Sequence, residues 1–354
     1  MKRLSRHLVS HIAGFSAIVG LALVAIYTFI SFVSDIDQTG RGDFGIAQLL
    51  YYTLMMIPTG LYTLMPVIAL LGTLMGLGTL AAQNEVTAMR AAGMTVVQIG
   101  VATLIAGVLL GGLDIVLGDV LAPAGTQAAR SFRSETRDGV PAGLAARPLW
   151  LRDGNSIVHI GTLQSERQIE NVEVYELADD FSLRSALHAD HGEFVDGHWH
   201  LSGIARTRFE GTHTVAEKLP ALDVEGYLSP DVLRLFVLEA DSLTTPGLVR
   251  LIHYLERNGL DAGNYRLSLW RKLVAPLTVV AMMLFAVPFI LGSQRGGGAG
   301  QRLLIGILVG LVFYVVNEVT ASMGQIYGWP PVLAAGAPTV ALAGLAVVRL
   351  RRAS

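Results

Sequence analysis

The sequence predicts an α-helical membrane protein with six transmembrane helices, three before and three after an inserted antiparallel β-jelly-roll or sandwich domain. Three observations predict it. The 354 residues are 52% hydrophobic and only 15% charged, with a mean hydropathy of +0.52, which is too apolar for a soluble chain of this length. Six apolar runs reach the roughly 20 residues that a bilayer crossing takes. Between the third run and the fourth, the apolar period changes from helical to two.

The runs cover residues 11–33, 57–81, 96–116, 274–291, 303–323 and 332–348. Lys2, Arg3 and Arg6 precede the first. That run exceeds the roughly 7 to 15 residues of a signal-peptide core and has no convincing cleavage site, so it is expected to remain as an anchor. Basic residues in short loops stay cytoplasmic. If the spans alternate, Lys2, Arg3, Arg6, Arg90, Arg295, Arg302, Arg349, Arg351 and Arg352 share one side, while the opposite short loops offer Arg41 among Asp35, Asp37 and Asp43, then the uncharged GQIYGWPP. Both termini are therefore expected in the cytoplasm and the polar block outside.

The block divides the chain into residues 1–121 with spans one to three, 122–265 with the β domain and a connecting helix, and 266–354 with spans four to six. SIVHIGTL, ENVEVYEL, SLRSALHAD and HWHLSGIARTRFEG alternate apolar and polar, with turn signals at Asp153-Gly154-Asn155 and Asp196-Gly197. DSLTTPGLVRLIHYLERNG then reads as a helix begun near Thr245-Pro246 and stopped at Gly259. Ile157 and Val174 are expected to face the interior of the β domain.

The chemistry-bearing residues exclude more than they suggest. Cysteine is absent, which removes disulfides, thiolate catalysis and Cys-based metal sites. The only lysines are Lys2, Lys218 and Lys272, and none follows a glycine as a phosphate-binding loop requires. There is no GxSxG. A net charge of -2 gives no basic surplus for nucleic acid. His188, His191, His198 and His200 invite a metal reading, but His188 and His191, three apart in one strand, are expected on opposite faces. No metal and no cofactor are expected. Asp114 and Glu318 lie toward the outer ends of spans, where interfacial solvation or helix pairing accounts for them better than a proton relay. Gly72 with Gly76, Gly107 with Gly111 and Gly306 with Gly310 are spaced for close helix packing, within the chain or between subunits.

Between spans two and three, LAAQNEVTAMRAAGMT (Leu80 to Thr95) reads as a short capped helix. Asn84 is placed to cap it, Glu85 at its first position favours the positive end of the helix dipole, and Gly93 is suited to a left-handed C-terminal cap. Val86 and Met89 share a face. Such a helix suits a cleft in a cytoplasmic partner, where it would pass motion to the spans it joins. A plain amphipathic connector has the same pattern.

NEVTAMRAAG in the first cytoplasmic loop, PLWLRDGNSIVHI opening the β domain and GLDAGNYRLSLWRKLVAPL entering the fourth span together resemble the LptF/LptG permease family of the lipopolysaccharide exporter. IYGWPP before the last span brings the match nearer the LptG branch. The similarity runs along essentially the whole chain. It implies a permease subunit of an ABC exporter in the bacterial inner membrane, with a periplasmic β domain. The subunit would extract lipopolysaccharide from the outer leaflet and pass it to a periplasmic jelly-roll bridge.

The implied partners are an LptF-type permease in a heterodimer, two LptB ATPases that hydrolyse the ATP, and LptC at the start of the bridge. Glu85 matches the glutamate of the family's coupling helix, with Val86, Met89, Arg90 and Gly93 in the same motif. The first, second and fifth spans would line the lipid cavity. Where some relatives are basic at the outer end of span one, this chain has Ser31, Asp35 and Asp37. Arg130, Arg133, Arg271 and Lys272 break the positive-inside expectation on the outer side, and with Arg41 they are the expected contacts for a phosphorylated lipid headgroup. Ordinary anionic phospholipid would also explain them. Two other classes compete with the exporter: an ion-coupled secondary transporter and a non-transporting membrane-anchored assembly protein. The first predicts paired broken helices in two repeated halves, and no repeat is evident.

Overall fold

The computed structural model describes residues 2–138, 149–165, 167–211, 213–224, 230–237, 239–292 and 299–353. Arg295, counted above among the inner-side cations, lies outside them, as do the side chains of Lys2 and Arg302. In chain order the elements are α1 (Lys2–Ser34), α2 (Ile46–Met55), α3 (Ile57–Ala82), α4 (Glu85–Ala91), α5 (Val96–Val116), α6 (Ala122–Asp138), β1 (Leu149–Asp153), β2 (Ser156–Ser165), β3 (Gln168–Leu177), β4 (Leu183–Val195), β5 (His198–Glu210), β6 (His213–Val224), α7 (Pro230–Val237), α8 (Thr245–Arg257), α9 (Gly263–Gly292), α10 (Ala299–Tyr327) and α11 (Pro331–Ala353).

Six of these helices, α1, α3, α5, α9, α10 and α11, are long and apolar enough to cross a membrane. The chain forms two compact units: residues 1–39, 45–129 and 266–354 make one, and residues 40–44 and 130–265 the other. The earlier division at 121/122 falls within a continuous run of helix, because a π-helical turn at Leu117–Leu121 carries α5 into α6.

In the helical unit the glycines decide which helices touch. The backbone of α1 at Ser16 and Ile12 lies where a Cβ on Gly72 or Gly76 would point. Gly306 and Gly310 of α10 rest on Leu71, Leu74 and Val67 of α3. Gly107 and Gly111 of α5 rest on Val280 and Pro276 of α9. Every seam that the GxxxG spacing singled out thus closes within this chain, where missing side chains let the backbones approach. The consequence is a layer in which α3 stands between α1 and α10. The hydrophobic window of α3 is 67% buried, those of α1 and α10 only 11% each.

The other unit is a six-stranded antiparallel sheet in the order β1-β2-β3-β4-β5-β6. The antiparallel β class is as expected, and its connectivity among the described strands is a plain meander with β1 and β6 at the edges. Pro220 sits in β6, where an edge strand tolerates its missing N–H. The two predicted tight turns form: Gly154 has positive φ, and Asp196 and Gly197 both do, as a type I′ turn requires.

A crease crosses the sheet. On either side of it the pairs are Ile160↔Val172 and Thr162↔Glu170, then Val172↔Ala189 and Glu170↔His191, then Ala189↔Ile204 and His191↔Ser202, then Ile204↔Leu219 and Ser202↔Ala221. Gly161, Asn171, Asp190, Gly203 and Pro220 fall in the gaps, with Asn171 and Gly203 at positive φ. The crease resets the alternation of faces. Buried positions run Val158, Ile160, then Leu163; Leu187, Ala189, then Gly192; Trp199, Leu201, then Ile204.

Two sequence expectations fail against this register. Ile157 pairs beside Arg152 and Tyr175, on the face opposite the core, while its neighbour Val158 joins Val174, Leu151 and Leu187 inside. Ile157 and Val174 therefore cannot share the interior. His188 and His191, expected on opposite faces, both point away from the core, because the crease lies between them.

The connecting helix starts and stops where its signals lie. The Thr244 hydroxyl accepts from the Gly247 N–H at 3.2 Å, and Gly259, at positive φ, donates to the Glu256 carbonyl while Leu260 donates to that of Leu255. This is the paired C-terminal closure that a left-handed glycine permits. The Tyr254 hydroxyl donates to the Arg152 carbonyl at 2.6 Å, tying α8 to β1. Burial, with the charge of Asp153 adding to it, pushes the Tyr254 hydroxyl up to about 12.

Candidate functional site: a loop helix and a set of basic residues

The loop helix α4 forms as one short amphipathic segment. Its C-terminal end closes as expected. Gly93, at positive φ, donates to the Arg90 carbonyl and Met94 to that of Met89, so two orphan carbonyls are satisfied by one left-handed residue. Its N-terminal end differs. Asn84 takes the left-handed conformation itself and its side chain makes no capping hydrogen bond, so its role is to turn the chain out of α3. Glu85 opens the helix, in favourable register with its dipole.

The apolar face of α4 is spent inside the chain. Val86 and Met89 are each only 5% exposed and join one core with Leu4 and Leu8 of α1, Leu77 and Leu80 of α3, and Met94. The helix is thus clamped to the membrane helices by the face that the sequence offered to a partner. Thr87, Ala88, Arg90 and Ala91 remain exposed on the other side. Glu85 is oriented by a residue the sequence gave no reason to choose: His7 Nε2 lies 3.1 Å from its Oε2. Nothing local could have indicated a pairing across 78 positions. The His7 ring also lies tilted against that of His11, which in turn stacks with Phe15.

The basic residues expected on the outer side are divided between the two units. In the unit that holds the sheet, Arg130 donates to Glu239 Oε2 at 2.7 Å. Arg41 stands in a tight loop pinned to α6, with the Asp43 N–H donating to the Thr136 carbonyl at 2.8 Å. Gly42 has positive φ and lies against the Thr136 and Arg137 carbonyls, where no Cβ fits. The loop of Arg41 is thereby fixed one turn from Arg133 on the same helix.

In the helical unit, Arg271 donates to Glu318 Oε2 at 2.9 Å, so Glu318 serves helix pairing. Lys272, 8% exposed, donates to the Gly118 carbonyl at 2.8 Å, with Asp119 Oδ1 at 3.6 Å. Lys272 therefore fastens α9 to the π-helical turn after α5. Asp114 departs from the solvated or paired state expected of it. Its face of α5 continues that of Gly107 and Gly111, it is buried, and neither carboxylate oxygen has a partner among the described residues.

Five histidines of the sheet meet an acid or a carbonyl, His188 lying 3.5 Å from Asp190 Oδ1. His159 lies 3.3 Å from Glu173, His191 3.4 Å from Glu170 and His200 2.6 Å from Asp223, while His198 Nδ1 lies 3.0 Å from the Asp196 carbonyl. Among the described residues no group of three or more His, Asp or Glu is placed to hold a metal ion.

Residues 6–352 match the family described as "Lipopolysaccharide export system permease LptF/LptG". The permease LptG of the lipopolysaccharide export system of Escherichia coli K12 is 31% identical over 340 residues, covering 94% of this chain and 93% of that protein. Its counterpart in Haemophilus influenzae is 29% identical over 339 residues, covering 95% of each. A match spanning both sets of membrane helices and the inserted sheet establishes that the chain belongs to the LptF/LptG family of lipopolysaccharide export permeases.

Proposed function

We propose that this chain is the LptG-type half of the exporter, pairing with an LptF-type permease to lift lipopolysaccharide from the outer leaflet of the inner membrane into a periplasmic β bridge begun by LptC. Two LptB subunits hydrolyse the ATP, since this sequence has no lysine-bearing phosphate loop. Both termini are cytoplasmic and the sheet unit is periplasmic. The observation that carries the reading is the seating of α4. Val86, Met89 and Met94 anchor it in the same core as α1, α3 and α5, so a displacement imposed on its exposed face moves the spans with it. Glu85, Arg90 and their exposed neighbours form the surface offered to the ATPase, and Gly93 fixes the exit into the third span.

The layer of α1, α3 and α10 supplies the lipid-facing wall, because α1 and α10 leave long apolar faces uncovered while α3 braces them from behind. For the headgroup, Arg41, Arg130 and Arg133 are the contacts favoured here. The Glu239 partner of Arg130 is 74% exposed, and ion pairs so open to water contribute about 0 to 1 kcal/mol, so a phosphate displaces it at little cost. Lys272 is committed to the α5–α9 seam and acts there.

The test is Glu85→Lys in the assembled complex. Reversing the charge removes the His7 contact, opposes the helix dipole and repels a basic partner surface. The expected result is loss of lipopolysaccharide transport, with ATPase binding weakened or ATP turnover no longer linked to export. Unchanged transport and assembly would remove α4 from the mechanism. The purified chain alone is expected to hydrolyse no ATP.

A further inference from the structure

We propose that a groove between the first turns of α1 and the start of α5 binds one anionic phospholipid of the cytoplasmic leaflet, with its phosphate on Arg6 and an acyl chain along Val9, Met94, Val101 and Ile105. The groove encloses about 590 Å³, within the roughly 300 to 1,000 Å³ of ligand sites. Its two ends differ in chemistry. Ser5 and Arg6 stand at one, and Val101 and Ile105, about 49% and 47% exposed, stand at the other.

That polarity matches depth in the bilayer. Arg6 precedes the apolar run of α1, at headgroup level. At 1.5 Å per residue, Ile105 lies roughly 14 Å along α5 from its first residue, well into hydrocarbon. Arg6 is exposed and has no acidic partner among the described residues, unlike Arg130, Arg271 and Lys272 on the outer rim. An unpaired cation at the mouth of an apolar groove opening to lipid is complementary to a phosphate carrying an acyl chain.

Ala92 and Met94, which close the C-terminal end of α4, form part of the same wall. A bound lipid therefore touches the end of the coupling helix. The proposal rests on the membrane orientation given above and on none of the partner assignments.

The experiment places the full chain, without partners or lipopolysaccharide, in nanodiscs of phosphatidylcholine containing a small fraction of a photoreactive-acyl phosphatidylglycerol or of the matching phosphatidylcholine probe. Labelled peptides are read by mass spectrometry. The phosphatidylglycerol probe is expected to label residues 92–105 about five-fold more than the zwitterionic one, the preference that a single basic residue confers at about 1 kcal/mol. Arg6→Gln should abolish the preference, Arg3→Gln should leave it, and Val101→Trp, which fills the groove, should reduce labelling by both probes. Absence of headgroup preference in the parent, or equal effects of Arg3→Gln and Arg6→Gln, would overturn the site. So would loss of labelling on assembly of the complex with a protein crosslink at Val101 in its place, which would assign the groove to a partner's helix. Each of these outcomes leaves the export reading standing, because none measures ATP hydrolysis or lipopolysaccharide transport.

Discussion

The helical unit keeps a single packing rule along each element, whereas the sheet unit changes its rule in the middle of every strand from β2 to β6. In α3 the glycines that meet α1 are four apart, and the helix needs no local exception for both to lie on one seam. In the sheet, the line through Gly161, Asn171, Asp190, Gly203 and Pro220 turns the alternation over, so inner positions on either side of it are three apart instead of two. The difference teaches that periodicity identifies an element's class over its whole length, but its faces only up to the nearest break in backbone conformation.

The most damaging substitution should be Gly72→Leu. The added side chain meets the backbone of α1 at Ser16, which cannot yield as a flexible side chain would. Overpacking generally costs about 1 to 3 kcal/mol, and this site belongs at the upper end or beyond. Loss of monodisperse protein on size exclusion would register it. A normal elution profile and melting temperature would mean that the α1–α3 seam is not close, and the contrast with the sheet would fail at its first term.

Gly203→Ala examines the crease itself. Gly203 has φ +68 and lies against the Asp190 side chain, while Gly211, φ +61, has open space around it. Both substitutions incur left-handed strain of about 1 to 2 kcal/mol, and only the first adds a steric conflict. Gly203→Ala should therefore lower the melting temperature of the sheet unit distinctly more than Gly211→Ala. Equal shifts would show that the crease is conformational strain without packing.

Tyr254→Phe removes the hydrogen bond from α8 to the Arg152 carbonyl. The expected loss is about 1 kcal/mol, read from thermal unfolding of the sheet unit. No change would mean that the connecting helix does not help hold β1 in register.

The smallest effect belongs to Asp153→Asn at the head of the first turn. Burial raises the Asp153 carboxyl above its ordinary value of 3.8, so the folded unit holds that proton more tightly than the unfolded chain. Its contribution favours folding at acid pH and is lost as pH rises from 3.8 through the folded value. Asparagine is neutral throughout. The variant should be slightly more stable than the parent at pH 7, with the difference shrinking as pH falls toward 3.8. An advantage that grew on acidification would reverse the assigned sign.

Much of the loop helix α4 was legible because its signals are local. Glu85 at the first turn and Gly93 at the exit depend on the dipole and on a left-handed residue, both properties of a few adjacent positions. Val86 and Met89 were identified as one face, but an apolar stripe does not say what covers it, and the cover proved to be the chain's own α1 and α3. Asn84 carried a cap signal and adopted a turn. His7 carried no signal, since its meaning is its distance from Glu85. The cations expected outside stood out as departures from charge asymmetry, yet their partners Glu239, Glu318 and Asp119 come from elsewhere in the chain.

The sequence by itself determined the six membrane helices, the antiparallel class of the insert, the tight turns at Gly154 and Gly197 and the stop of α8 at Gly259. Each follows from hydropathy, period or a single residue's backbone freedom, which act over one element at a time. Tertiary structure alone decided that the glycine seams close within the chain, that Ile157 faces outward beside an inward Val158, that Lys272 is a fastening and Arg130 an exposed pair, and that Asp114 is buried without a partner. Those outcomes depend on which distant segments arrive at the same place. One-dimensional patterns record a preference for burial or exposure, and only the packed fold supplies the neighbour that satisfies it.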